Sequence, residues 1–317
     1  MTTTSIAKSQ SSSRLIFAKP LMGTEAHIVL YAADSLKATR AVESAFSRID
    51  DLNNHLSDYL VESELSRLSN THGQPVSVTQ DLWDVLTASQ EVARLSKGKF
   101  DVTSGPLTFL WRHAMRRGML PDSIALRKAI SVVGFELLHM NPDTMTVELE
   151  KKNMRLDLGG IAKGYAADQA LAVLFQEGFY SVAVNLGGDI ALGNAPPDTD
   201  GWSIKVFHGE SGTENMILAN CGIAVSGDTY KYLEYQGMRY SHIVDPQSGY
   251  GITHKRKVAV IASSAMMADA WASAYSVMDW QEVVTSAQNQ HNFSIRIVES
   301  GMEDLKQLNT GRFELNK

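Results

Sequence analysis

The sequence predicts a mixed α+β fold, in which helices pack on a mixed β-sheet core. Short segments that are rich in Val and Ile, or that alternate in polarity, are interspersed with helical patterns. The two kinds of element do not alternate strictly, and several predicted strands follow one another through short links. A doubly wound parallel sheet would need a crossover between successive strands, so these links favour the mixed sheet.

Seven segments are predicted to be strands, because each is short and either β-branched or alternating in polarity. They are residues 26–31, 145–149, 181–186, 202–207, 240–244, 258–262 and 293–298.

Four helices are predicted from apolar residues that recur at helical spacing. The first has a cap at Asp34 or Ser35, and the second has a cap at Thr79 and ends just before Gly98. The spans of the third and fourth helices are about residues 164–177 and 264–280.

Composition limits the class of protein. The chain has 317 residues, of which 44% are hydrophobic and 20% are charged, so it can bury a large core in one domain or two lobes. A net charge of -6 and a pI near 5.9 argue against nucleic acid or anionic lipid as a partner. No apolar run is long enough to span a membrane. Cys221 is the single cysteine, which excludes an internal disulfide and a thiolate metal cluster.

Residues 1–13 are rich in Ser and Thr and are predicted to form a flexible tail, with residues 14–317 as a single domain. The tail lacks the apolar segment of a secretory signal, so we expect a cytoplasmic location. Because the tail contains Lys8 and no acid precedes Glu25, organellar import is an alternative.

Asp269 and Ser273 are the most informative pair of polar residues. They stand four residues apart in the fourth predicted helix, so both oxygens lie on one face, among small Ala residues. Mg²⁺ takes few protein oxygens and completes its shell with water and phosphate, so this spacing suits a magnesium site. An ordinary helix with a solvent-facing Asp and Ser is the alternative.

The stretch LDLGGIAKGYAADQA (156–170) looks like a phosphate loop, but it fits neither the dinucleotide fingerprint nor the P-loop. Asp157 is predicted to end a strand, and Gly159 and Gly160 to permit close backbone approach or positive φ. Gly164 is predicted to begin a helix whose free amides favour a phosphate. A tight strand-to-helix turn without a ligand is the alternative.

Two further stretches have both a structural and a functional interpretation. Residues 185–194 contain a glycine turn, for which the structural interpretation is favoured. Residues 226–250 are predicted to form a hairpin that turns at 236–237 and leads into His242. His242 could be a general base, since its ordinary pKa lies near neutrality, or a structural histidine in a strand. Together the residues predict a soluble α+β enzyme that binds a phosphate-bearing ligand with a hard divalent ion.

Eight stretches, taken in this order, resemble the ApbE family of FAD:protein FMN transferases. They cover the chain from about residue 15 to residue 280. The stretches are LMGT (21–24), SDYLVESELSRL (57–68), GKFDVTSGPL (98–107), LDLGGIAKGYAAD (156–168), VNLGGDI (184–190), SGDTYKY (226–232), RYSHIVDPQSG (239–249) and AMMADAWASA (265–274).

The resemblance implies a catalytic domain of two lobes, with FAD in the cleft between them and Mg²⁺ against its pyrophosphate. The FMN half of FAD would be transferred to a Thr or Ser hydroxyl of an acceptor flavoprotein with a Ser/Thr-Gly-Ala-Thr-type motif, with release of AMP. The FAD contacts implied are Met22, Tyr59, Lys99, Phe100, Asp101, Asp157, Lys163 and Val244. The Mg²⁺ ligands implied are the carbonyl of Ala162 and the side chains of Asp269 and Ser273.

Catalytic roles are predicted for Asp269, through the metal, and for His242, as the base for the acceptor hydroxyl. The amides around Gly160 would help to cradle the phosphate. Ser273 stands where the family usually has Thr, and it keeps the hydroxyl. The family's common N-terminal lipidated Cys has no counterpart in the sequence, which agrees with the expected cytoplasmic location. FAD pyrophosphatase activity and flavin binding without chemistry are the alternatives.

Overall fold

A computed structural model describes residues 12–227, 231–289, 292–301 and 305–314. Most of the predicted flexible tail and residues 228–230 of the SGDTYKY stretch lie outside these ranges. The main body is an eight-stranded sheet with the order β1-β2-β6-β7-β10-β13-β14-β15. The strands of this sheet are β1 (Ser13–Leu21), β2 (Thr24–Ala32), β6 (Val182–Leu186), β7 (Asp189–Leu192), β10 (Cys221–Gly227), β13 (Lys255–Ala262), β14 (Ser294–Ser300) and β15 (Leu305–Asn309).

Every pair of neighbouring strands in the main sheet is antiparallel. Hairpins join some of these pairs, and longer connections that include helices or further strands join the others. Three small sheets complete the strands, and the α+β fold class is confirmed. Their strands are β3 (Val76–Ser77), β4 (Leu138–Asn141), β5 (Thr146–Leu149), β8 (Trp202–His208), β9 (Gly212–Leu218), β11 (Tyr232–Tyr235) and β12 (Met238–Ser241).

The helices largely follow the predicted caps. The Asp34 side chain accepts a hydrogen bond from the Lys37 amide at 3.0 Å, and Thr79 accepts one from the Leu82 amide at 3.4 Å. The helices are α1 (Ser35–Leu56), α2 (Glu64–Ser69), α3 (Gln80–Leu95), α4 (Gly105–Arg117), α5 (Ser123–Ile130), α6 (Ala162–Gln176), α7 (Ala265–Val277) and α8 (Trp280–Asn289).

The predicted helix over 264–280 is wrong in one respect, since it divides into α7 and α8. Met278 has extended backbone angles at the end of α7. Asp279 and Glu282 then exchange hydrogen bonds at 2.8 Å, each side chain accepting from the other residue's amide. This reciprocal capping box begins a new helix, which explains the break.

The structure bears on two predictions around glycine turns and corrects the first of them. The segment before Asp157 is not a strand, and only Arg155 makes a single bridge, to Ser104. Residues 185–194 contain strand β7, which pairs with β6 across the turn at Gly187 and Gly188. Both glycines have positive φ, which fits a tight hairpin turn.

The molecule has a large core and two smaller apolar clusters. One face of the main sheet packs against α1, α6 and α7, and the other is covered by the β8–β9 hairpin. A third cluster joins α4, α5 and the β11–β12 hairpin, which we call the small lobe. Within the described ranges, no helix combines the length and apolar character needed to cross a membrane.

The two alanine-rich helices α6 and α7 lie against each other at the centre. A Cβ added to Gly164 would come within 2.3 Å of the Ala265 carbonyl oxygen. Asp168 on α6 accepts hydrogen bonds from the Ala265 and Met266 amides, each at 2.9 Å. The first turn of α7 is therefore fixed to α6 by both packing and an anionic cap.

Candidate functional site

Lys163, Asp189 and Asp269 form what we call the lysine cluster. The Lys163 ammonium donates a short hydrogen bond to Asp189, and its Nζ lies 3.6 Å from Asp269 Oδ2. Both carboxylates are buried, with 3% of Asp189 and 6% of Asp269 exposed. α6, the β6–β7 turn and α7 each supply one residue, so the cluster joins three distant stretches of the sequence.

The electrostatics of the lysine cluster are unbalanced. Burial raises the pKa of Asp269, and burial together with Asp269 raises the pKa of Asp189 to about 7. Burial opposes the charge on Lys163, but Asp269 and Asp189 outweigh it and raise the pKa of Lys163. One ammonium therefore compensates two buried carboxylates only in part, and the cluster favours a further cation.

Ser273 lies one turn beyond Asp269 on α7, as the spacing predicts. Its hydroxyl faces the glycine loop, since a Cβ added to Gly160 would lie 2.6 Å from Ser273 Oγ and 3.4 Å from Phe100 Cε2. Neither Gly159 nor Gly160 has a positive φ. Close approach is thus the reason for Gly160, and it brings the loop, Phe100 and Ser273 together.

The helix after the glycine loop begins two residues earlier than predicted, at Ala162, which is buried. Gly164 lies within its first turn, and its amide donates to Asp269 Oδ2 at 3.4 Å. The Ala162 amide donates to the Leu158 carbonyl at 2.9 Å. Asp269 therefore supplies negative charge at the amino end of α6, where we expect a phosphate from the sequence.

Arg112, Asp58 and Asp157 form a second group, the arginine cluster. Arg112 donates to Asp58 Oδ2 at 2.5 Å and to Asp157 Oδ2 at 2.7 Å. Asp157 also accepts from the Thr108 hydroxyl at 2.7 Å and from the Gly159 amide at 2.8 Å. The cluster ties α4 of the small lobe to the glycine loop of the main body.

Tyr59 lies at the outer side of the arginine cluster. Its ring is 4.3 Å from the Arg112 guanidinium carbon, and 73% of the residue is exposed. Tyr59 and Asp58 line a cavity of about 610 Å³ that extends along α2 and residues 152–156. The cavity adjoins the arginine cluster, and its lining includes none of the three residues of the lysine cluster.

The stretch GKFDVTSGPL contains three predicted FAD contacts, and each of them lies in a different environment. Lys99 pairs with Glu282 at 3.4 Å, and Phe100 faces Gly160. Asp101 is buried and accepts from the amide and the hydroxyl of Thr103 at 2.8 and 2.7 Å. Burial raises the pKa of Asp101 to about 6.

The remaining predicted FAD contacts lie around the two lobes. Met22, with a φ of 49°, occupies the β1–β2 turn. This turn meets the β6–β7 turn, because a Cβ added to Gly187 would lie 2.8 Å from Thr24 Oγ1. Val244 is buried in the core of the small lobe, where Trp111 is a neighbour in the same cluster.

His242 follows β12 and is exposed. Its backbone amide donates to the Lys231 carbonyl oxygen at 3.0 Å, and its Nδ1 lies 3.0 Å from the same oxygen. A carbonyl can only accept, so Nδ1 carries the proton in this arrangement. This contact fixes the orientation of the ring, while the catalytic role of His242 stays a prediction.

Three residues of the two clusters are not predicted as site residues from the sequence: Asp58, Arg112 and Asp189. Asp58 and Asp189 lie inside the SDY and VNLGGDI stretches, and this position within a family-like stretch is the sequence feature that could have identified them as site residues. Arg112 has no signal of its own, because it lies in a helix outside those stretches. In the described part of the chain, no group of three His, Cys, Asp or Glu could hold a metal. A metal here would need Ser273 or backbone oxygens.

Comparison with known proteins places this fold among the flavin transferases. The solved structure "Flavin Transferase ApbE from Vibrio cholerae" is 26% identical, with a TM-score of 0.86, and the match covers 96% of this chain and 99% of that one. The model of the ApbE family matches residues 22–297, and the chain belongs to that family.

Curated relatives carry one functional name. A Haemophilus influenzae protein named FAD:protein FMN transferase is 28% identical over 93% of this chain and 89% of its own length. A Vibrio cholerae protein of the same name is 30% identical over 82% of this chain and 80% of its own length. The resemblance predicted from the sequence stretches is thereby confirmed.

Proposed function

We propose that the protein transfers the FMN half of FAD to a Ser or Thr hydroxyl of an acceptor flavoprotein and releases AMP. The observation that carries the proposal is the pairing of Asp269 and Ser273 on α7, beside Gly160 and the lysine cluster. Membership of the ApbE family and the name of the relatives support flavin transfer as the chemistry.

The donor set fits Mg²⁺. Asp269 and Ser273 offer hard oxygens on one helix face, and Ala162 lies directly before Lys163 in the same region. The lysine cluster carries two buried carboxylates and one ammonium, so a divalent cation would offset the remaining negative charge. Bound here, Mg²⁺ would neutralise charge on the pyrophosphate of FAD.

The protein's own groups would position the two substrates. Lys163 keeps its proton, because Asp269 and Asp189 outweigh burial and raise its pKa, and it would supply a fixed positive charge near the pyrophosphate. Tyr59 has an exposed ring, and Phe100 has a ring edge against the glycine loop. Both rings would be available to contact FAD. Asp101 and Val244 are buried, so they would act through backbone or by support.

In the transfer step, the acceptor oxygen would bond to the phosphorus of the FMN half. The bond from that phosphorus to the bridging oxygen would break, and AMP would leave with that oxygen. The acceptor proton would pass to His242, whose Nδ1 donates to the Lys231 carbonyl so that Nε2 is the accepting nitrogen.

The test combines the purified protein with FAD and Mg²⁺, with and without a flavoprotein that bears a Ser/Thr-Gly-Ala-Thr-type motif. We expect intact mass spectrometry to show FMN on the acceptor, with AMP released in equal amount. An acceptor changed to Ala at the motif hydroxyl is the control. AMP release that is as fast without the acceptor would establish a pyrophosphatase instead, and FAD binding without AMP would establish a flavin-binding protein.

A further inference from the structure

A groove on the small lobe lies between α4 and α5. It has a volume of about 270 Å³ and is lined by Pro106, Phe109, Leu110, Ala125, Ala129, Asn153 and Arg155. Phe109 is 45% exposed, although its ring lies 5.3 Å from the Arg155 guanidinium carbon. Two more large apolar side chains nearby in sequence are exposed, Met119 at 60% and Ile124 at 56%. Exposed apolar side chains of this size on neighbouring elements are typical of an interaction surface.

The groove continues into the candidate site. Asn153 and Arg155 line both the groove and the 610 Å³ cavity that Tyr59 also lines. Arg155 is held in place, because it donates to the Asp58 carbonyl oxygen at 2.7 Å. An extended segment lying in the groove would therefore lead directly to the arginine cluster.

The charge of this surface is opposite to that of the whole chain. Residues 105–133 contain five basic residues and one acidic residue, whereas the net charge of the chain is -6. Arg112 is bound within the arginine cluster. The other four, which are exposed and have no ion pair among the described residues, are Arg116, Arg117, Arg127 and Lys128.

Exposed basic side chains on the two helices that form an apolar groove fit one kind of occupant. We propose that the groove between α4 and α5 binds an extended acidic segment of the acceptor protein and delivers its hydroxyl to the cavity at Tyr59. The proposal rests on the proposed function, because it assigns a position to the acceptor of that reaction. Complementary charge would steer the encounter and fix the register, and apolar contacts with Phe109 would hold the segment.

Two synthetic peptides test the charge requirement. Both carry a Ser-Gly-Ala-Thr core, flanked by glutamates in one peptide and by lysines in the other. Binding to the protein loaded with FAD is measured by calorimetry without turnover. We expect the acidic peptide to bind at least about tenfold more tightly, with an affinity that falls as salt rises. Equal binding of the two peptides would overturn the proposal.

Paired variants test the position. Arg127→Glu with Lys128→Glu reverses charge on α5, the helix that supplies Ala125 and Ala129 to the groove. Arg14→Glu with Lys205→Glu reverses the same charge at exposed positions elsewhere. We expect the groove variant to lose roughly tenfold in affinity for the acidic peptide, and the control to change less than about twofold. FAD affinity and circular dichroism should stay unchanged in both. An equal loss in both variants would contradict the assigned position.

A single Phe109→Ala variant tests the apolar part without changing charge. We expect it to weaken the acidic peptide roughly tenfold as well. A separate assay measures binding to phosphatidylserine vesicles. If the groove variant weakens binding to these vesicles but does not weaken binding to the acidic peptide, the groove binds a lipid surface and the proposal fails. The mass of the bound peptide after turnover is a separate readout: binding as expected with no added FMN would refute the proposed function and leave the docking site in place.

Discussion

The lysine cluster and the arginine cluster contain the same kinds of charged group but differ in how their hydrogen bonds are arranged. Each holds one basic side chain between two carboxylates, and each joins elements distant in sequence. Arg112 presents separate nitrogens to its two carboxylates, so each carboxylate receives a directed hydrogen bond. Lys163 offers one compact ammonium to two buried carboxylates, so the formal charge of the two clusters is the same and the difference lies in the geometry of the donors. A guanidinium fork suits a closed structural link, whereas an ammonium leaves room for another ligand.

The hydrogen bonds around the clusters show the same difference. Asp157 in the arginine cluster accepts from a guanidinium, a hydroxyl and an amide. Asp269 in the lysine cluster has a long amide contact of 3.4 Å and Lys163 at 3.6 Å, and it shares a side-chain hydrogen bond with Asp189, a second carboxyl group. We infer that the arginine cluster holds the lobes together and that the lysine cluster is arranged to bind a cation.

The largest expected effect is on activity, from the lysine cluster. Asp269→Ala should reduce FMN transfer by about 10³-fold or more, equivalent to about 4 kcal/mol, because it removes the only carboxylate one turn from Ser273. Unfolding in urea should change little, since removing one of two close carboxylates relieves their repulsion. Asp269→Asn is the isosteric control, and it should also be inactive. Transfer by Asp269→Ala without added metal would contradict the magnesium assignment.

The second largest expected effect is a loss of folding stability when the arginine cluster is disrupted. Arg112→Met should lower the free energy of unfolding by about 3 kcal/mol, because it leaves Asp58 and Asp157 close together without a cation. Arg112→Lys should recover only part of the loss, since a single compact nitrogen cannot reproduce the fixed geometry in which two separate guanidinium nitrogens each meet one carboxylate. Urea denaturation measures both changes. A full recovery with lysine would show that charge alone matters and would remove the distinction between the clusters.

A carboxylate with no basic partner among its hydrogen bonds provides a third case. Among the described residues, Asp168 accepts hydrogen bonds only from the two amides at the start of α7, and burial raises its pKa to about 6. The folded state therefore binds a proton that the unfolded state releases near pH 4, so Asp168 lowers the stability as pH rises from about 4 to 6. Asp168→Asn should remove this fall, which amounts to at most about 3 kcal/mol, in urea denaturation at a series of pH values. An unchanged slope would show that Asp168 ionises as in the unfolded chain.

Local patterns predict much of the fold. The caps at Asp34 and Thr79 are predictable because the side chain and the amide it binds are three residues apart. Strand β10 is not predicted, because its glycines reflect packing that the sequence does not display. A Cβ on Gly222 would lie 2.1 Å from the Ala265 amide nitrogen, so the glycine is set by the start of α7.

The same limit applies to the candidate site. Asp269 and Ser273 are predictable as a pair because helical spacing is local. Asp189 and Arg112 are not, because they meet their partners only through contacts between distant elements. The role of Gly164 is likewise set by the approach of α7 and not by a phosphate turn.

The smallest expected effect separates the hydroxyl of Ser273 from the carboxylate of Asp269. Ser273→Ala should weaken Mg²⁺ binding roughly tenfold, about 1.4 kcal/mol, because it removes one neutral oxygen ligand and leaves the charge of the lysine cluster intact. Ser273→Thr keeps the oxygen and should stay within about threefold of the unmodified protein, provided that the added methyl is accommodated beside Gly160. Calorimetric titration with Mg²⁺ in the presence of FAD distinguishes the two. Equal affinities of the Ala and Thr variants would leave the metal to the carboxylates alone, and Ser273 would then serve only to pack α7 against the glycine loop.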